Sequence, residues 1–150
     1  AISRVAPVGR AAEAIPRSDL FLDEGLPAGT CSTMLNLTVT PNGDVFPCCA
    51  GSETCGSLRL GNALDQPLTK VVESVQANLF VRTLVHAGPA YFATLLDEVE
   101  LQDRLGSEYS NICHLCNELC SDDELSSAIE ERLGSRIREM LPTLVERVPM

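Results

Sequence analysis

The sequence predicts an α+β fold: a small β-hairpin followed by helices around a cysteine-ligated metal cluster, with an amphipathic helix at the C-terminal end. Three observations predict it. Alternating apolar and polar residues flank Asn42-Gly43, a strong short-range hairpin signal. From Leu68 onward, apolar residues recur at helical spacing. Two cysteine groups, Cys31 to Cys48 and Cys113 to Cys120, stand far apart in the chain. The second contains a C-x2-C, whose sulfurs a tight turn or helix start brings to one side.

Length and composition bound the rest. At 150 residues the chain suits one domain with enough sequence to bury a core. Hydrophobic residues make up 45%, which excludes a disordered segment. Aromatics are 4% and Trp is absent, so the core must come mainly from Leu, Val, Ile and Ala. A net charge of -10 speaks against a nucleic-acid partner, because neutralising phosphates takes Lys and Arg. It suits a cationic peptide, or solubility alone. No apolar run reaches the roughly 18 residues of a membrane span. Residues 1–14 hold Arg4 and Arg10 but no apolar core of a secretion signal. The expected location is cytoplasmic, with no membrane partner. The chain begins at Ala1, which reads as processing or as a piece cut from something longer.

In chain order, residues 2–5 read as a short strand ended by Pro7 and Gly9, and residues 13–30 as a connector. From Met34, Leu35, Leu37 and Val39 share one face while Asn36, Thr38 and Thr40 share the other. A two-residue turn at Asn42-Gly43 puts Cys48 opposite Leu37. Cys31 then lies about 20 Å away along an extended strand. A flat hairpin therefore keeps Cys31 and Cys48 apart, so residues 31–34 must curl back or the strand must bulge. Cys48 and Cys49 point to opposite faces of a strand, and one of them is expected at a given site. A polar loop over residues 50–57 holds Cys55, and residues 58–62 read as a third short strand.

Asp65 as N-cap and Pro67 in the first turn start a helix that runs to about His86 through Leu68, Val71, Val72, Val75 and Leu79. Gly88-Pro89 breaks it and begins another, with Phe92, Leu95, Leu96 and Val99 inward, stopping near Gly106. Asp97, Glu98 and Glu100 read as a solvated face. After the second cysteine group, Ser121 and Glu124 form a capping box. Leu125, Ile129, Leu133, Ile137 and Leu141 then make the seam of an amphipathic helix, weakened by Gly134 and ended or kinked by Pro142.

Seven cysteines is an odd number, so they cannot all pair within the chain. Without a secretion signal, clustered cysteines point to metal ligation. Four thiolates in two pairs suit structural zinc or an iron-sulfur cluster. Zinc ribbons use two compact knuckles, and only one pair here is compact, whereas a cluster tolerates scattered ligands. His114 lies between two ligand candidates and reads as a residue behind them or at the surface. His86 reads as a cation at a helix end or as solvent-facing. Cys49 and Cys55 also suit ordinary burial, and Tyr91 and Tyr109 read as packing residues. No glycine-rich phosphate loop or Ser-His-Asp set is present, so no catalytic residue is assigned.

Cys31, eleven residues, Gly43, four residues, Cys48, and later Cys113-x2-Cys116 is a pattern similar to the C-terminal auxiliary-cluster domains of radical SAM enzymes. These are the SPASM domain and its shorter relative, the twitch domain. Residues 43–49 (Gly-Asp-Val-Phe-Pro-Cys-Cys) and Leu60-Gly61-Asn62 resemble that family too, and residues 5–11 resemble the end of the radical SAM barrel. The resemblance covers roughly residues 2–125. It implies a 4Fe-4S cluster held by Cys31, Cys48, Cys113 and Cys116. Such a cluster would position substrate or relay an electron during radical modification of a peptide, protein or small molecule. It also implies a division into residues 1–25 (end of the barrel and connector), 26–125 (the iron-sulfur domain) and 126–150 (C-terminal helix). The implied partner is a radical SAM barrel in the same or a parent polypeptide, and S-adenosylmethionine enters only through that barrel.

A full SPASM domain continues its second group as C-x2-C-x5-C-x3-C. Here Cys120 follows Cys116 after three residues, and Cys49, Cys55 and Cys120 are one short of a second four-cysteine site. One cluster is expected, with a second three-cysteine cluster as the open alternative and Cys120 as a fifth candidate metal ligand. The barrel's C-x3-C-x2-C motif is absent from this sequence, so the chain by itself is not expected to cleave S-adenosylmethionine. The competing function is a zinc-stabilised structural or protein-interaction module that docks through its C-terminal helix.

Overall fold

The computed structural model describes residues 4–32, 36–49, 53 and 55–145. The α+β character is as expected, with two small antiparallel sheets and a helical C-terminal half. Arg4 and Val5 belong to no strand, and Ile2 and Ser3 lie outside the described residues. The expected connector instead carries a short helix, α1 (Arg10–Ala14), and a strand, β1 (Asp23–Glu24). β1 pairs antiparallel with β5 (Glu108–Tyr109), Asp23 opposite Tyr109 and Glu24 opposite Glu108. The Gly25 N–H donates to the Ser107 carbonyl at 2.8 Å, and Arg17 pairs with Glu108 at 3.1 Å. Arg4 pairs with Asp23. The beginning of the chain is thereby tied to the residues just ahead of the second cysteine group.

The second sheet holds β2 (Thr38–Val39), β3 (Asp44–Phe46) and β4 (Gly61–Asn62) in the order β2-β3-β4. The hairpin lies where the sequence predicts it, but its register is shifted by one. Thr38 faces Phe46 and Val39 faces Val45, which carries on to Asn36 opposite Cys48, not Leu37. The turn is the reason. The Gly43 N–H donates to the Thr40 carbonyl and the Thr40 N–H to the Asp44 carbonyl, both at 2.9 Å, so the loop holds Pro41, Asn42 and Gly43. Pro41 suits the second position of a type I turn, and Gly43 (φ 83°) takes the left-handed position after it. Side chains finish the loop: Asp44 accepts from Arg59 Nε at 2.7 Å and Asn62 Nδ2 at 3.0 Å. Of the third strand expected over residues 58–62, Gly61–Asn62 pairs with β3, while Gly56–Leu58 is a 3-10 turn. Met34, Leu35 and residues 50–52 and 54 of the polar loop lie outside the described residues.

The helices keep the expected apolar periodicity but change their ends. The single helix expected to His86 is two, α2 (Leu68–Ala77) and α3 (Leu79–His86). Asn78 divides them, because its side-chain oxygen accepts from the Val81 N–H at 2.9 Å and caps the second helix. Asp65 does not cap α2, since Pro67 at φ -57°, ψ 138° is the residue that precedes it. Helix α4 (Ala90–Asp97) stops well short of Gly106. Glu100 takes φ 59°, its N–H reaching the Asp97 carbonyl at 3.2 Å and that of Leu101 the Leu96 carbonyl at 2.9 Å. This is a Schellman ending built on a non-glycine residue. Ser121 is not the expected cap either: it ends α5 (Ile112–Ser121), and Asp122 Oδ1 accepts from Glu124 and Leu125 N–H at 2.9 and 3.1 Å to start α6 (Asp123–Val145). Pro142 does not end α6; the single bond it forfeits falls near the helix terminus.

One core joins these elements. Val45, Phe46, Leu58 and Leu60 from the sheet region meet Phe80 and Leu84 of α3, Phe92, Leu95 and Leu96 of α4, Leu115 and Leu119 of α5, and Leu125, Ile129 and Leu133 of α6. Each such side chain contributes about 1.5–3 kcal/mol on full burial. Along α6 Leu133 is still buried and Ile137 is exposed, while the side chain of Leu141, also expected in the seam, lies outside the described residues. Glu98 at the end of α4 takes both Arg132 and Arg136 of α6, and Arg104 ties Asp122 to Glu124. Among the described residues, no single helix is long and apolar enough to cross a membrane.

Candidate metal centre

The two thiols of the C-x2-C sit in the first turns of α5. Asn111 caps that helix, its side-chain oxygen accepting from the Cys113 N–H at 3.0 Å and the His114 N–H at 3.1 Å. Three residues apart on a helix, Cys113 and Cys116 share a face. Cys48 follows β3 by two residues and is buried beside it, whereas Cys49 is exposed. Cys31 reaches the site by a backbone route: its N–H donates to the Leu84 carbonyl near the end of α3 at 3.1 Å. The segment leading to Cys31 crosses Gly88, where α3 has ended and φ is 79°.

These pieces gather thiols around Cys113. Its pKa is pushed up to about 11, first by burial and then by Cys116, Cys31, Cys48 and Cys49. Cys116, Cys31, Cys48 and the exposed Cys49 thus lie near enough to Cys113 for their charges to act on it. Cys120 is 1% exposed in the core, its Sγ 3.8 Å from Cys116 Sγ and its other side against Cys55, which is 2% exposed. Those two thiols, Cys116 first, and then burial keep its pKa well above the ordinary value.

His114 is half-buried between the ligand candidates, and its Nδ1 accepts from the Ser110 N–H at 3.3 Å. Tyr109 meets its ring edge-on, with centroids 5.2 Å apart. Burial holds the His114 pKa below its ordinary value. The Tyr109 hydroxyl is buried facing Glu118 without a well-aligned hydrogen bond, and burial, then Glu118, pushes its pKa up. His86 ends α3 and is exposed.

Sequence reasoning missed the Asn111 cap and the crossing at Gly88. An Asn just before a C-x2-C helix is a readable start signal. Gly88 reads from sequence only as a helix breaker. Among the described residues, no three His, Cys, Asp or Glu side chains converge closely enough to hold a single metal ion. The candidate donors are all soft thiols from three separate segments, a set whose chemistry suits an iron-sulfur cluster rather than a hard cation.

A family model described as SPASM, an iron-sulfur cluster-binding domain, matches residues 31–117, from the first cysteine to just beyond Cys116. A comparison with curated proteins finds none that matches.

Proposed function

Because the chain belongs to the SPASM family of iron-sulfur cluster-binding domains, we propose that Cys31, Cys48, Cys113 and Cys116 hold one 4Fe-4S cluster, the auxiliary centre of a radical SAM enzyme. What supports this reading is the family match over residues 31–117, which spans all four cysteines, together with the shared helix face of Cys113 and Cys116 and the closeness of Cys31 and Cys48 that is felt at Cys113. A bound cluster would supply one-electron chemistry.

The chain's own residues prepare the site. In the metal-free chain burial and the neighbouring thiols keep Cys113 protonated, and loading releases that proton, so iron affinity rises with pH. Asn111 takes the first free N–H groups of α5, which orients the turn carrying both Cys113 and Cys116. Leu84 fixes the backbone of Cys31, and the core beneath β3 keeps Cys48 away from water. S-adenosylmethionine and its cleavage belong to a partner barrel in this reading, and the cytoplasm, where thiols stay reduced, is its setting.

The test is anaerobic purification with visible absorption and with iron, sulfide and zinc assays on one sample. About four iron and four sulfide per chain is the expected result. A colourless protein with one zinc, unchanged after iron and sulfide are supplied, would overturn the reading and leave a structural module.

A further inference from the structure

Cys120 touches the candidate site through Cys116. It lies one turn beyond Cys116 on α5, the two sulfurs 3.8 Å apart. Cys55 packs behind it, and both are all but sealed from water in the core that Leu58, Leu115, Leu119 and Leu125 also enter. An apolar surrounding of that kind keeps a thiol as S–H. In the metal-free chain either sulfur of the 3.8 Å pair can donate. Once Cys116 is a thiolate ligand it can only accept, and Cys120 becomes the donor at hand. A hydrogen bond to a charged acceptor in a low-dielectric interior is stronger than its neutral counterpart.

We propose that Cys120 is a positioning residue for the iron-sulfur centre, its S–H donating to the Cys116 sulfur while Cys55 holds it on that side. This rests on Cys116 being a cluster ligand. Donation to a ligand sulfur draws charge from it, favours the reduced and more negative cluster, and so raises the reduction potential. The same geometry gives Cys120 a role without making it the fifth ligand.

The experiment compares the wild-type chain with Cys120→Ser and Cys120→Ala, each loaded anaerobically with iron and sulfide. Iron and sulfide per chain are assayed, and the potential is measured by reductive titration followed by electron paramagnetic resonance. All three should carry the same iron and sulfide. The potential of Cys120→Ala should shift downward, and that of Cys120→Ser, which keeps an O–H donor, should stay nearer the wild type. If Cys120→Ala does not fold, Cys120→Val removes the donor while filling the space. Loss of iron from the donor-free variant would make Cys120 a ligand and overturn the proposal, as would an unchanged potential. A wild-type chain that takes up no iron and sulfide instead overturns the underlying assignment of the cluster.

Discussion

Gly88 lies so close under Gly29 that a β-carbon at position 88 would stand 1.9 Å from the Gly29 carbonyl oxygen. The crossing sits two residues before Cys31, whose N–H is bonded to the Leu84 carbonyl of the same helix end. Gly88→Ala must push that segment away, beyond the cost of about 1–2 kcal/mol for a left-handed alanine. Gly25→Ala is the control, because Gly25 has φ 85° with nothing within 4 Å of its would-be β-carbon. Thermal melts of the metal-free chains should rank Gly88→Ala below Gly25→Ala, and iron per chain should fall only in the former. Equal losses in both would assign the effect to backbone strain alone.

Cys48 and Cys49 are neighbours with opposite surroundings, one buried beside β3 and the other exposed. Cys48→Ser should therefore abolish or sharply reduce iron and sulfide retention, while Cys49→Ser keeps both. Parallel assays after anaerobic loading decide this, and the reverse pattern would exchange their roles.

Asn111→Ala removes the oxygen that caps α5 at both Cys113 and His114. The loss expected is about 1 kcal/mol, or about 2–4 °C in melting temperature for a chain of this size. Asn111→Asp, which keeps an accepting oxygen, should recover most of it.

Glu98 is held below its ordinary pKa of 4.5, first by hydrogen bonds from Arg132 and Arg136. A carboxylate with a depressed folded-state pKa adds stability above its unfolded value and loses it as pH falls through the folded one. Glu98→Gln should thus be less stable than wild type at neutral pH, with the gap narrowing as pH falls below the ordinary value of 4.5 and closing once it has passed through the depressed folded value. Denaturant midpoints measured across that range give the answer. A gap that persists in acid would assign the effect to packing.

The sequence by itself determined which residues could form a hairpin, which faces of the helices are apolar, and that Cys113 and Cys116 share a turn. Each of those depends on neighbours within a few residues, where periodicity and turn chemistry act directly. Helix ends were harder to read, because Pro67 displaces Asp65 at the start of α2, Asn78 splits the helix expected to run to His86, and Glu100 and Asp122 act where Gly106 and Ser121 were expected, through differences that only backbone conformation settles. The hairpin register failed for a related reason: Pro41 and Gly43 together enlarge the loop by one residue and move every pairing. Only the tertiary structure decided how Cys31 and Cys48 come to Cys113. That approach needs β1 paired with β5, the chain laid across Gly88, and α5 packed against α6 and the Gly56–Leu58 turn. These contacts join residues far apart in sequence, so they form only when the common apolar core offsets the entropy of closing the long loops between them.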